Sequence, residues 1–537
     1  MTFIIATIEF SNIKVIMFYI LDWIIIGIYC VGIITLATFV SRKKSGSQRS
    51  AEDYFLAGRS LPWWAIGASL IAANISAEQI IGMSGQGFVV GMAIAVWELT
   101  AAIALIVMAK FFLPLFLEKK IYTMPQFLEQ RFDKRVSLVL SFFWLTVYIF
   151  VNLTAVLWLG SIAINTLTGL SLVNGMILLA ILSLAYSLSG GLKAVAMTDI
   201  VQVVLLIFGG LAVSYIALTK IGDGSIATGM LQVYQQMPEK FDMILSPDNP
   251  SYNNLPGIWI LIGAGVWIGH FAYWGFNQYI TQRALGAKSL KEAQKGVMFA
   301  AYLKLLMPLV IVLPGICAAV LFPVLEKTDQ AYPTMMIELL PSGLLGLTFA
   351  ALIAAIVSSL ASMTNSISTI FTMDICRSFS KQEITQSSLI MIGRSAVVGS
   401  MLIALVMAKP ILGNSDQIFQ YIQNFTGLFT PGILVIFLVA LFWKKATTLS
   451  VLVAAILSVV MSVFIQATFP EFPYIHRMGA VFFASGLGCY LTSLAQGYID
   501  QQKAVDLNGI NFSTSKAFNF NTLIIVSILT LIYVTFG

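Results

Sequence analysis

The sequence predicts an all-α integral membrane protein of about 14 transmembrane helices. Of its 537 residues, 58% are hydrophobic and 10% charged, against about 25% charged in soluble domains. The mean hydropathy is +0.90. Apolar runs of roughly 20 residues, enough to span a hydrocarbon core of about 30 Å, recur from end to end without a soluble insert.

Apolar runs read against polar, Gly and Pro punctuation place the first spans at 20–41, 63–87, 89–117, 136–165, 171–188, 195–219 and 256–283. The others fall at 297–324, 342–373, 389–410, 418–443, 448–468, 476–496 and 518–536. The whole chain, 1–537, reads as one membrane domain. Its second to sixth spans (63–219) and seventh to eleventh (256–443) form two groups of five, with additional C-terminal helices over 448–536. Because five is odd, a second copy of a five-helix unit would lie upside down, as in many secondary transporters. The halves share no strong residue identity, so the count permits this repeat without proving it.

Basic residues near span ends resist translocation, whereas acidic ones say little. Arg42-Lys43-Lys44, Lys119-Lys120 with Lys134-Arg135, Arg283 to Lys295, Arg377 with Lys381, and Lys444-Lys445 are therefore expected on the cytoplasmic side. Loops holding Asp223, Glu239, Asp242 and Asp248, then Glu326 and Asp329, are expected outside, and both termini with them. The net charge of +6 is then a topology signal rather than a nucleic-acid surface, since no long basic run accompanies it. Cys30, Cys317, Cys376 and Cys489 show neither disulfide nor metal spacing. The opening from Met1 to Asp22, with Glu9 ahead of Lys14, lacks a basic start and cleavage site, so the first run is expected to be retained. No P-loop, His-Glu-x-x-His or Gly-x-Ser-x-Gly motif occurs, which disfavours ATP-driven pumping, and no enzyme activity is expected.

Ala72-Ala73-Asn74-Ile75-Ser76-Ala77-Glu78-Gln79, running on to Gly82-Met83-Ser84-Gly85, sets Asn, Ser, Glu and Gln at membrane depth. Against lipid these groups would lack partners, so the segment must face protein or a wet cavity. A helix broken here would free carbonyls for a small cation; hydrogen bonding between unbroken helices is the alternative. Ala355 is followed by a hydroxyl-rich strip of Ser358, Ser359, Ser362, Asn365, Ser366 and Ser368. Hard cations prefer oxygen ligands, so two hydroxyls and a few carbonyls could cage sodium, although small polar residues also serve helix packing.

Glu98 and Lys304 are charges deep in apolar runs, each costing about 2.5 to 3.5 kcal/mol on insertion scales. With Gln79 and Gln423 they offer donors and acceptors for hydroxyls, and Tyr273-Trp274 offers a ring face. That mixture suits a neutral polyhydroxylated ligand. A buried ion pair without a ligand role and an interfacial aromatic belt are the competing readings. His270, among Gly263, Gly265 and Gly269, reads either as a cavity residue or as a packed one. With His476 in an expected outer loop and 2 histidines in all, a His-based metal site is not expected.

Asp53-Tyr54-Phe55-Leu56-Ala57-Gly58-Arg59-Ser60-Leu61-Pro62-Trp63-Trp64, the Ala72 to Gly85 stretch, Tyr273-Trp274-Gly275-Phe276-Asn277-Gln278-Tyr279 and Ser358 to Asp374 resemble the sodium:solute symporter family. The likeness is strongest to its bacterial sodium/sugar members of galactose and glucose type and runs from Glu52 to Lys445. It implies a five-plus-five inverted-repeat, leucine-transporter-like core with discontinuous helices. It implies sodium held by the carbonyls of Ala72, Ile75 and Ala355 and the hydroxyls of Ser358 and Ser359, with Asp199 nearby and linked to coupling. Sugar contacts are implied for Gln79, Glu98, Lys304 and Gln423, stacking or inner gating for Tyr273, and support from Trp274 and Asn277. Met83, Tyr148 and Phe419 match an outer hydrophobic gate. Trp97, Ala101 and His270 replace Tyr, Ser and Asn of the sugar shell, which leaves the particular sugar open. The implied activity is sodium-coupled sugar symport by alternating access in a bacterial inner membrane. A sialic acid or cyclitol cargo is one alternative. A non-transporting solute sensor is another, disfavoured because no soluble output domain follows the last span.

Overall fold

The computed structural model describes residues 18–41, 57–121, 123–380 and 384–537. Arg42-Lys43-Lys44, Lys381, Glu52, the Asp53 to Leu56 start of the first matched motif and the opening with Glu9 and Lys14 lie outside them. Among the described residues the chain is helix and connecting loop. Its β pairing there is an isolated bridge between Leu61 and Ala287, with Leu61 N–H donating to Gly286 O at 3.0 Å.

Among the described residues, 9 helices are long and apolar enough to cross a membrane, or 11 if two bent pairs each count as one span. Ile20–Ile33 and Leu172–Ala185 are shorter apolar helices. The run over 256–283 is divided into Trp259–Ile262, Gly265–His270, Phe271–Gly275 and Gln278–Leu285. The expected spans 171–188 and 195–219 differ from the structure, which joins them in one helix, Leu172–Ile221, of 50 residues. The sequence between them contains glycines but no proline, so no N–H donor is lost from the helical ladder.

The breaks have local causes. Trp63–Asn74 and Glu78–Val89 meet at 61°, across an extended Ile75 (φ −77°, ψ 92°). Ser76 N–H donates to Gln79 Oε1 at 3.2 Å. A side chain thus takes the proton that would have continued the helix, and the Ala72 carbonyl is released from that duty. Asn277 makes a similar extended step (φ −76°, ψ 124°) ahead of Gln278–Leu285. Ile418–Thr426 and Thr430–Phe442 meet at 46°. Wide π turns occupy Glu78–Met83, Tyr148–Leu153 and Phe271–Gly275, a feature that gathers at functional sites.

Close backbone contact fixes these pieces. A Cβ on Gly67 would lie 2.6 Å from Gly296 O, and one on Gly296 2.7 Å from Trp63 O. Helices Trp63–Asn74 and Leu290–Met307 therefore meet through bare backbone. Helix ends are satisfied from afar. Asp22 Oδ1 accepts from the N–H groups of Gly343 at 2.7 Å and Gly346 at 2.8 Å, at the start of Leu344–Thr369. Arg131 donates to Ala440 O at 3.2 Å and Trp443 O at 3.1 Å, at the end of Thr430–Phe442. Cys30, Cys317, Cys376 and Cys489 are free thiols.

Candidate functional site

A cavity enclosing about 910 Å³ of space, the open solvent at its mouth included, lies between the broken helices and their neighbours. Gln79, Glu98, His270, Tyr273, Trp274, Asn277, Lys304 and Gln423 line it, as do Met83 and Phe419. Tyr148 stands behind the wall, fully buried. Its hydroxyl donates to Asn277 Oδ1 at 2.7 Å and accepts from Gln278 N–H at 3.2 Å. It thereby fixes a lining residue without being one.

Lys304 Nζ lies 2.6 Å from Glu98 Oε2, also donates to Asn74 Oδ1, and stands 5.2 Å from the centre of the Trp274 ring. The two charges compensate each other within the wall, which offsets the cost of their burial. Asn74 Nδ2 donates to Tyr273 Oη at 3.1 Å, and Tyr273 and Tyr279 share a proton-bearing contact of 2.7 Å between their hydroxyls. One polar chain thus ties helix Trp63–Asn74 to the divided run over 256–283 beside the cavity.

A second polar cluster joins helices Trp63–Asn74 and Leu344–Thr369. Ser359 Oγ lies 3.5 Å from Ala72 O. Ser358 Oγ donates to Asp199 Oδ1 at 2.5 Å, and Ser69 Oγ to Asp199 Oδ2 at 2.5 Å. Ile75 is the residue at which the helix breaks, and Ala355 sits one turn before Ser359. Hydrogen bonds join Ser359 to Ala72 and Ser358 to Asp199; Ala355 lies on the same helix as the two serines, and Ile75 three residues after Ala72. Among the described residues no group of three or more His, Cys, Asp or Glu gathers to hold a metal. The donors here are hydroxyl, carbonyl and carboxylate oxygens, which suit a hard cation.

One expectation is corrected. Arg283 reads in the sequence as the first basic residue of a cytoplasmic loop, yet it is 1% exposed. It donates to Ser69 Oγ at 2.8 Å and Ser362 Oγ at 2.7 Å and stands 3.6 Å from Asp199 Oδ2. Asp199 at this depth needs a compensating charge, and Arg283 supplies it.

Sequence reasoning held Asn74 only as part of the quoted segment and did not single out Asn152, Phe143, Trp144 or Met478 as lining residues, nor Thr100 as the partner of His270 at 2.8 Å. Glu78 lay inside the quoted segment; it lines the cavity with Oε1 unpartnered. Trp97 also lines it, with an unpartnered Nε1, whereas Ala101 is buried outside the lining. Asn152 and Thr100 offered only a polar residue in an apolar run, a signal shared by many packing residues.

The model of the sodium:solute symporter family matches residues 54–458. The chain belongs to this family. Symporter relatives agree. A sodium/glucose cotransporter of Vibrio parahaemolyticus is 46% identical over 536 residues, 96% of this chain and 98% of that protein. An uncharacterized symporter of Escherichia coli is 35% identical over 77% of this chain and 73% of its own length. The human sodium/myo-inositol cotransporter 2 is 31% identical over 74% of this chain and 62% of its own length. The fold matches that of a sodium-coupled sialic acid symporter in a substrate-bound outward-open state, with a TM-score of 0.77 at 21% identity, covering 89% of this chain and 98% of that one. As a member of this family the symporter is a multi-pass membrane protein that couples solute transport to sodium, and it is not an enzyme.

Proposed function

We propose that this symporter moves a neutral sugar of glucose or galactose type together with sodium, by alternating access, across a bacterial inner membrane. The observation that carries the reading is the cavity wall itself. Amides of Gln79, Asn277 and Gln423, the paired Lys304 and Glu98, and the Trp274 face converge on one space. Such a wall offers hydrogen bonds in both directions and no uncompensated charge from the pair, which favours a neutral polyol over an anion such as a sialic acid. A cyclitol is the second reading, favoured by the likeness to a sodium/myo-inositol cotransporter.

Sodium is assigned to Ala72, Ile75 and Ala355 carbonyls with the Ser358 and Ser359 hydroxyls, and Asp199 stands behind Ser358. The released Ala72 carbonyl and its approach to Ser359 support that assignment. Met83, Tyr148 and Phe419 would close the cavity outward, Tyr148 from behind the wall, with Tyr273 closing it further in. We assign 63–219 and 256–443 to two inverted five-helix repeats, the long helix Leu172–Ile221 supplying the last two apolar runs of the first, and 448–536 to three additional helices, about 14 runs in all with both termini outside. Rocking of the repeats would carry both ligands together, each favouring the state that binds the other.

One sodium ion crossing about 100 mV releases roughly 2.3 kcal/mol, and a tenfold gradient adds about 1.4 kcal/mol. Accumulation of sugar on the order of a hundredfold is within that reach. Uptake of labelled glucose and galactose into proteoliposomes under an inward sodium gradient tests the reading. Sodium-dependent accumulation abolished by gradient collapse is expected. Binding of either sugar without flux, or uptake indifferent to sodium, would overturn it.

A further inference from the structure

Thr100 lies on helix Val96–Val107, one turn after Val96, and is not among the residues lining the cavity. Its hydroxyl oxygen is 2.5 Å from Val96 O and 2.8 Å from His270 Nε2. A hydroxyl has one proton to give and lone pairs to receive. The Val96 carbonyl can only accept, so the Thr100 proton goes there. Nε2 therefore faces a lone pair and must itself carry the ring hydrogen. This tautomer follows from the hydrogen-bond network.

In a neutral imidazole, a proton on Nε2 leaves Nδ1 as an acceptor. His270 is 5% exposed and lines the cavity. Nδ1 has no hydrogen-bond partner among the described residues. The Trp97 ring lies 5.5 Å from the imidazole at 72°, with Nε1–H buried and unpartnered. The wall thus offers an acceptor on the imidazole and, on the neighbouring Trp97 ring, a buried donor that no protein group satisfies. That buried donor is costly unless the cargo meets it.

We propose that Thr100 is a positioning residue that holds His270 as a hydrogen-bond acceptor, so that the cargo must present a hydroxyl that donates to Nδ1. The Trp97 indole N–H then donates to that hydroxyl or to its neighbour on the ring. The inference rests on the sugar reading above and deepens it. A hydroxyl satisfies both groups, a carboxylate would set its lone pairs against that of Nδ1, and a fluorine has no proton to give.

The test is competition against sodium-driven uptake of labelled glucose or galactose, whichever is taken up, by the monodeoxy and monofluoro-deoxy analogues of that sugar. If neither parent sugar is taken up, the sugar reading fails and this inference with it. Given uptake, at one ring position the fluoro analogue is expected to compete as poorly as the deoxy analogue, about tenfold or more below the parent. Thr100→Ser should keep that pattern. Thr100→Val frees the imidazole to flip its proton, so within that variant the fluoro analogue should recover relative to the deoxy analogue, a ratio that does not depend on how much parent uptake is lost. A fluoro analogue that competes like the parent at every position in the unaltered protein would overturn the proposal. So would a Thr100→Val variant, folded by thermal unfolding, whose analogue ranking is unchanged.

Discussion

Lys304 Nζ and Glu98 Oε2 are 2.6 Å apart, with side chains 1% and 2% exposed. They lie on helices Leu290–Met307 and Val96–Val107, so a single contact carries both the neutrality of the cavity wall and the registration of two helices. An ion pair so deep is stable only while both partners remain.

Lys304→Ala and Glu98→Ala should each cost about 3 to 5 kcal/mol of stability, because each leaves an uncompensated buried charge. The pair Glu98→Gln with Lys304→Met should regain much of that stability while sugar competition stays impaired. Thermal unfolding in detergent beside competition assays measures both. Single variants as stable as the parent would show that the pair is open to water and not buried as described.

The sequence already exposed much of this arrangement where a residue contradicted its surroundings. Glu98, Lys304 and the Asn74 to Gln79 segment are misplaced in apolar runs, and the structure gathers them at one cavity. The break at Ile75 was legible because polar backbone at membrane depth needs a reason. Arg283 was misread because a basic residue at a span end is normally a topology signal, and only its distant partner Asp199 reveals otherwise. The continuous Leu172–Ile221 helix was hidden because glycines mimic a loop when nothing else interrupts the backbone ladder. Thr100 could not be found, since a threonine in a helix usually bonds only to its own backbone.

Ser359→Ala should raise the sodium concentration giving half-maximal uptake by about tenfold, the equivalent of one lost oxygen ligand at roughly 1.4 kcal/mol. Sugar competition at saturating sodium should change little, because Ser359 faces Ala72 rather than the cavity lining. Sodium titration of uptake reads this directly. Unaltered sodium activation would remove the serine from the cation site.

Gly67→Val should prevent accumulation of folded protein. The added Cβ alone would stand 2.6 Å from Gly296 O, a backbone atom that cannot turn aside. Gly399→Ala, with nothing within 4 Å of its Cβ, is the matched control and should express normally. Fluorescence-detected size exclusion of the two variants settles the comparison, and equal monodisperse peaks would contradict the close packing.

Asp329 sits in the short turn Thr328–Gln330, outside the long apolar helices, and is fully buried. Its Oδ2 accepts from Ile418 N–H at 3.3 Å, while Oδ1 has no partner. Burial pushes its carboxyl up to about 7; the Ile418 N–H pulls it back, nearby Asp416 pushes it further, and Lys327 opposes that. An unfolded Asp titrates near 3.9, so between about pH 4 and pH 7 the folded protein holds a proton that the unfolded chain has released. Stability from this group is therefore complete below about pH 4 and is lost as pH rises through about 7. Asp329→Asn imitates the protonated form, so its thermal midpoint should exceed the parent's at about pH 8 and converge with it toward about pH 5. Because Ile418 begins the helix that carries Phe419, the same variant should also tighten the outer end of the cavity and slow uptake at the higher pH. Parallel thermal and uptake profiles across that range provide the check, and a constant offset between the two proteins at every pH would show that the Asp329 carboxyl is ionised throughout.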